Sequence, residues 1–243
     1  MGKKVLFLDF DGVLFDTLKE VYLISRYIHS AVPFLDEIDE KNYKRYSKYK
    51  YLVYNIWMFY YYNPIAFSGC DENEIVSKYQ NVLLSRDKNE EEKFCRSFLS
   101  ARRDLVNNHF DFWKNLEVPY EFFYGIKKLY DNKNVDIVII SKKNKNSILE
   151  RFKTYNFDLA PDFVFAREIL DNYLSKGEFI NEYMEQKGYN SAIFVDDNIN
   201  NLKTVQNNSV KTILALWGNT APNDKGLNQE LALDLIENYF ISK

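Results

Sequence analysis

The sequence is poor in the residues that build disulfide frameworks and zinc sites. Of its 243 residues, 2 are cysteine and 2 are histidine. Cys70 and Cys95 lie far apart, without CxxC spacing or histidine neighbours, so free thiols in a reducing cytoplasm are expected. Glycine (8) and proline (5) are scarce too, which excludes collagen-like and low-complexity chains. Neither sign of charge dominates: 32 Lys and Arg stand against 35 Asp and Glu, a net charge of −3. With no global positive field to gather phosphate backbones, nucleic acid is not an expected partner. Long apolar runs are missing as well. The run from Val5 to Phe10, with Asp9 inside it and Asp11 ending it, is too short for a secretory signal. The stretch from Tyr51 to Phe67 is interrupted by Asn55, Asn63 and Pro64. It falls below the roughly 20 apolar residues of a bilayer span, so no membrane partner is expected.

What is abundant is aromatic. The chain holds 19 Tyr, 19 Phe and 3 Trp, so much of its buried surface must consist of rings. Three short apolar runs, VLFLDFDG, DIVIISKK and SAIFVDD, are continuous rather than alternating, as in strands covered on both faces, and each ends abruptly in polar residues. A run at Val210 to Trp217 and a weaker one at Phe163 to Ala166 share that texture. Helical patterns lie between them at Ser147 to Tyr155, Gly177 to Met184 and Asn198 to Gln206, with a closing helix near Asn228 to Phe240. The order βαβαβαβ predicts an α/β fold, a Rossmann-like parallel sheet flanked by helices, with reactive groups beyond the carboxyl ends of its strands.

One long interruption follows the first strand. From about Lys19 to Trp113 the chain reads as helices, at Leu18 to His29, Lys41 to Phe59, Glu72 to Leu84 and Asn89 to Asn107. So long an insertion is its own module rather than a loop. The expected division is an α/β core of residues 1–17 and 118–243 and an all-helical cap of residues 18–117.

The strand ends carry the chemistry. Asp9 and Asp11 follow the first strand, with Gly12 permitting a tight turn, and Asp196 with Asp197 follow a later one. Carboxylates sharing one crevice repel by about 4 kcal/mol per pair at 4 Å and an effective dielectric near 20, so the cluster must hold cations or protons. Oxygen donors without His or Cys suit Mg²⁺, which usually bridges to a phosphate, so a small phosphorylated substrate is expected.

The segment DFDGVLFDT resembles the first motif of the haloacid dehalogenase-like (HAD) superfamily, mostly phosphatases and phosphomutases. Ser141, Lys176 and the VDD at 195–197 follow in the order of that family's second, third and fourth motifs, and the helical insertion matches the cap that some members carry after the first. The resemblance implies that Asp9 is the nucleophile and forms an aspartyl-phosphate. It makes Asp11 the acid that protonates the leaving alcohol and the base that activates water. Ser141 and Lys176 would bind the phosphoryl group. Asp9, Asp11, Asp197 and Asp196 form the implied metal set, with Asp197 the direct ligand of its motif and Asp196 a second ligand or one shell out. Asn201 stands where many members have another Asp, which puts outer-shell ligation in question. Lys142 and Lys143 compete with Lys176 for the phosphate, and Asn144 is either a helix cap or a phosphate-side donor.

Other features have plainer expectations. Asp16 and Thr17 are expected to cap the next helix. His29 and His109 are structural or surface residues, and Arg102 with Arg103 form a solvated face. The aromatic stretch Tyr51 to Phe67 is core of the helical module, or a lid or partner patch through Tyr60, Tyr61 and Tyr62. The leading function is a Mg²⁺-dependent phosphatase. The alternatives are a phosphomutase of the same superfamily and a non-catalytic HAD-like binding protein. Dehalogenation needs neither the metal nor Asp11, so Asp11 with Asp196 and Asp197 argue against it. Oligomeric state is left open.

Overall fold

The computed structural model describes residues 2–132 and 135–241. Among them lie seven strands: β1 (Lys4–Leu8), β2 (Phe15–Asp16), β3 (Val118–Pro119), β4 (Asp136–Ile140), β5 (Val164–Phe165), β6 (Ser191–Asp196) and β7 (Val210–Leu214). The chain divides into two compact units, one running from Thr17 to Glu117 and the other formed by the segments on either side.

The first unit is helical, with α1 (Leu18–Ser30), α2 (Glu40–Lys48), α3 (Phe59–Phe67), α4 (Ile75–Val82), α5 (Lys88–Asn108) and α6 (Phe110–Trp113). The single helix expected over Lys41 to Phe59 is broken. α2 stops at Lys48, and two 3₁₀ turns, at Lys50–Leu52 and Ile56–Met58, lead to α3. Residues 49–58 are mostly aromatic and β-branched, which lose rotamer freedom in a helix, and Val53 and Asn55 are extended. The core of this unit is rich in rings, with Tyr22, Tyr46, Tyr62, Tyr79 and Trp113 all buried, and the α/β unit buries a comparable set that includes Phe10, Phe15, Phe122 and Phe123. Tyr61 and Tyr62 belong to it, with Tyr62 donating to the Tyr46 carbonyl and Tyr61 to Glu91 at 3.0 Å. Thr17 is the residue before α1, as expected, but its side chain makes no cap hydrogen bond.

The expectation for Arg102 was wrong. Arg103 faces solvent, but Arg102 is buried and donates from Nε to Glu20 Oε1 at 2.9 Å, where Trp113 Nε1 also donates at 2.6 Å. Glu117, fully buried, has an oxygen 3.8 Å from Arg102 Nη2. Four residues spread over nearly the whole insertion thus meet as one buried charge cluster, which a one-dimensional pattern of apolar neighbours conceals.

The second unit carries α7 (Glu121–Asp131), α8 (Lys145–Thr154), α9 (Arg167–Leu170), α10 (Lys176–Lys187), α11 (Ile199–Lys203) and α12 (Gln229–Ile241). Its five-stranded sheet has the order β5-β4-β1-β6-β7, with every neighbouring pair parallel. Residues of alternate parity serve its two faces. Leu6, Leu8, Ile137, Ile139, Ile193 and Val195 pack with Phe122, Ile126 and Phe152, whereas Val5, Phe7, Val138, Ile140 and Phe194 pack with Phe179, Tyr183 and Met184. Both faces being covered is why the strand sequences show no alternation. β2 and β3 pair antiparallel, Phe15 with Pro119 and Asp16 with Val118. No helix among the described residues is long and apolar enough to cross a membrane.

Candidate active site

Topology places the acidic residues. From β1 the chain moves outward to β4 and β5, then crosses to β6 and β7 on the other side, so the sheet order reverses between β1 and β6. Crevices at such switch points, beyond the carboxyl ends of the strands, are where α/β sheets bind ligands. Leu8 pairs with Val195, and the Asp9 N–H extends the ladder to the Val195 carbonyl at 3.0 Å, so Asp9 emerges beside Asp196. Ser141 emerges from β4 on the other side of β1, its N–H donating to the Phe165 carbonyl at 3.0 Å.

Lys176 joins the two acidic strand ends. Its Nζ lies 2.8 Å from Asp9 Oδ2 and 2.7 Å from Asp196 Oδ2, and all three residues are buried. The lysine is the first residue of α10, where the helix dipole disfavours a cation, so the carboxylates rather than the helix hold it there. Asp9 Oδ1 accepts from the Phe10 N–H at 2.7 Å. Burial pushes the Asp9 carboxyl up to about 7, with Lys176 pulling back and the charges of Asp196 and Asp11 pushing further. Burial raises Asp196 as well, against Lys176 and with Asp197 adding to the rise. For Lys176, burial works against the ammonium, but Asp196 and Asp9 outweigh it and hold the group above its usual range.

Asp196 is saturated with donors. Its Oδ1 accepts from the Asn198 N–H at 2.8 Å, and the Asn201 amide reaches Oδ1 at 3.1 Å and Oδ2 at 3.0 Å. Asn201, the departure from the family pattern, therefore supplies donors to a fully buried carboxylate that another aspartate would repel. Asp197 is held differently, its Oδ2 accepting from Asn219 twice.

One carboxylate oxygen from each of Asp9, Asp196 and Asp197 lies within 4.8 Å of the others, and all three residues are buried. The donors are all hard carboxylate oxygens, a set that fits Mg²⁺. Asp11, expected in the metal set, lies outside this cluster. Its Oδ1 pairs with the buried Lys143 Nζ at 3.1 Å. Lys142, by contrast, is exposed, 3.7 Å from Asp171. Ser141 Oγ accepts from the Lys143 N–H at 3.3 Å. Asn144 takes the capping role of its two expected ones, its Oδ1 accepting from the Ser147 N–H at 2.9 Å at the start of α8. The sequence offered no signal for Asn219, which follows the last strand in a loop.

No family model matches the chain, and no curated protein matches it by sequence. Solved structures do. A provisionally assigned phosphoglycolate phosphatase from Lactobacillus delbrueckii subsp. bulgaricus is 14% identical, with all of both chains covered and a TM-score of 0.64. A haloacid dehalogenase-like family hydrolase from Streptococcus pneumoniae is 10% identical over 96% of this chain and 98% of that one, with a TM-score of 0.59. A HAD-superfamily hydrolase of subfamily IA, variant 1, from Geobacter sulfurreducens is 16% identical over 97% of each chain, with a TM-score of 0.52. At such identities the likeness is one of architecture, and the chain has the fold of the haloacid dehalogenase-like hydrolases.

Proposed function

We propose that this protein is a Mg²⁺-dependent phosphatase that hydrolyses a small phosphorylated metabolite through an aspartyl-phosphate on Asp9. The observation that carries the reading is Asp9 at the end of the central strand, tied to Lys176 and within 4.8 Å of Asp196 and Asp197. The phosphatases among its structural neighbours support it.

In this reading Asp9 attacks phosphorus while Asp11 protonates the departing alcohol oxygen, which breaks the ester P–O bond. Asp11 then takes a proton from water as that water attacks the same phosphorus, releasing phosphate and restoring Asp9. Lys176 keeps Asp9 oriented and, with the Ser141 hydroxyl, offers positive potential to the equatorial oxygens, where charge spreads in the transition state. Asp9 and Asp197 would hold the metal. Asp196, its oxygens engaged by Lys176, Asn198 and Asn201, would orient the lysine rather than bind directly. Bound Mg²⁺ supplies the charge that lets an anionic nucleophile approach an anionic phosphate. All these groups address the phosphoryl moiety common to every phosphate ester, so discrimination among substrates is assigned to the helical unit as a cap. The two free cysteines suit a reducing cytoplasm.

The test is hydrolysis of p-nitrophenyl phosphate by the wild type and Asp9→Asn, with and without Mg²⁺. Turnover that needs both the metal and Asp9 is expected. Turnover without metal, or undiminished by the substitution, would refute the proposal.

A further inference from the structure

Beyond the segments that match the family's motifs, the tripeptide Trp217-Gly218-Asn219 in the loop after β7 bears on the carboxylate cluster. Asn219 reaches Asp197 Oδ2 twice, from its backbone N–H at 2.8 Å and from its side-chain Nδ2 at 3.0 Å. The loop that presents these donors is anchored. The Trp217 Nε1–H donates to the Val13 carbonyl at 2.9 Å, its ring packs 4.7 Å from that of Phe122, and the Gly218 N–H donates to the Ala215 carbonyl at 3.1 Å.

The backbone around Asp197 is shaped to admit this arrangement. Gly12 has φ +80, and a Cβ there would lie 1.9 Å from Asp197 Oδ2. A Cβ on Gly218 would lie 2.3 Å from the Gly12 carbonyl oxygen and 2.5 Å from Asp197 Cβ. Two glycines, one in the first motif and one in the final loop, therefore bracket the Asp197 side chain. An aspartate carboxyl turns about its last bond with little intrinsic preference. Two donors from one anchored residue, converging on one oxygen between close backbone walls, remove that freedom.

We propose that Asn219 is a positioning residue for the metal: it fixes the plane in which Asp197 presents its carboxylate to Mg²⁺. The inference rests on reading the site as a Mg²⁺ phosphatase and adds a fifth chain segment to it. Partners that orient a metal ligand typically account for 10–100-fold in metal affinity.

The experiment compares the full chain with Asn219→Ala and Asn219→Ser by titrating MgCl₂ in a calorimeter, and by finding the Mg²⁺ concentration that gives half-maximal p-nitrophenyl phosphate hydrolysis. Both variants should bind Mg²⁺ about 10–100-fold more weakly. The KM for the ester at saturating Mg²⁺ should stay within about threefold, a split that general damage to the site would not produce. Variants that bind Mg²⁺ like the wild type would overturn the assignment while leaving the proposed function standing. So would loss of the native circular dichroism spectrum in both, which would make Asn219 a folding residue. A wild type that neither binds Mg²⁺ nor hydrolyses the ester would remove the proposed function and this inference with it.

Discussion

Replacing Lys176 with Met keeps most of its volume and hydrocarbon but removes an ammonium that sits 2.8 Å from one buried carboxylate and 2.7 Å from another. Breaking a buried ion pair by deleting one partner costs about 3–5 kcal/mol, because the remaining charge is stranded. The loss should depend on pH in a defined direction. Burial already raises Asp9 to about 7 and raises Asp196, and in each case Lys176 restrains the rise. Without the lysine both folded-state values climb further above their unfolded value near 3.8. An acid raised in the folded state binds its proton more tightly there, so its contribution to stability is present at low pH and is lost as pH rises. The variant should approach the wild type near pH 4–5 and fall furthest behind at pH 8. Urea unfolding followed by circular dichroism, without metal, measures this. With a slope of about 3 kcal/mol per molar, the midpoint at pH 8 should drop by about 1–1.7 M. Equal midpoints at pH 8, or a larger deficit at pH 5 than at pH 8, would refute the electrostatic account of the cluster.

Two further predictions follow from the same kind of reasoning. Mg²⁺ should raise the melting temperature more at pH 8 than at pH 5.5, because below about 7 the Asp9 carboxyl carries a proton that the metal must displace; a calorimetric scan at 5 mM MgCl₂, with EDTA as reference, reads the difference, and an equal or reversed effect counts against Asp9 as a ligand. In the helical unit, Arg102→Met removes the guanidinium beside the buried Glu20 and Glu117 and should cost about 3–5 kcal/mol by denaturant unfolding, whereas the neighbouring exposed Arg103→Met should fall within about 0.5 kcal/mol of the wild type.

The acidic strand ends were legible because parallel strands buried on both faces are written as unbroken apolar runs, and the sharp change to Asp9, Ser141 and Asp196 marks the carboxyl end of each run. Lys176 was legible only through the resemblance, since its partners lie on other elements. The contacts of Asn201 and Asn219 were not legible at all. An asparagine in a loop has many ordinary uses, and only the fold decides that its amide meets a particular carboxylate. The interrupted segment between α2 and α3 was missed for another reason: aromatic and β-branched residues can be spaced like a helix and still lose rotamer freedom in one. Arg102 shows the same limit, because a cation that follows helical apolar residues reads as solvent-facing until its anionic partners are located.

The small ribbon of β2 and β3 has a consequence of its own. Asp16 and Val118 are paired neighbours, although the whole helical unit lies between them in the chain. Opposed residues on adjacent strands sit only about 4.5–5.5 Å apart, a gap that a tight turn can span. The α/β unit is therefore interrupted in sequence but nearly uninterrupted in space, so the insertion can be exchanged for a shorter or longer one without redrawing the sheet that carries Asp9 and Asp197. Under the proposed role of the insertion as a cap, selection can rework what the protein accepts while the end of the sheet that carries Asp9 and Asp197 stays as it is.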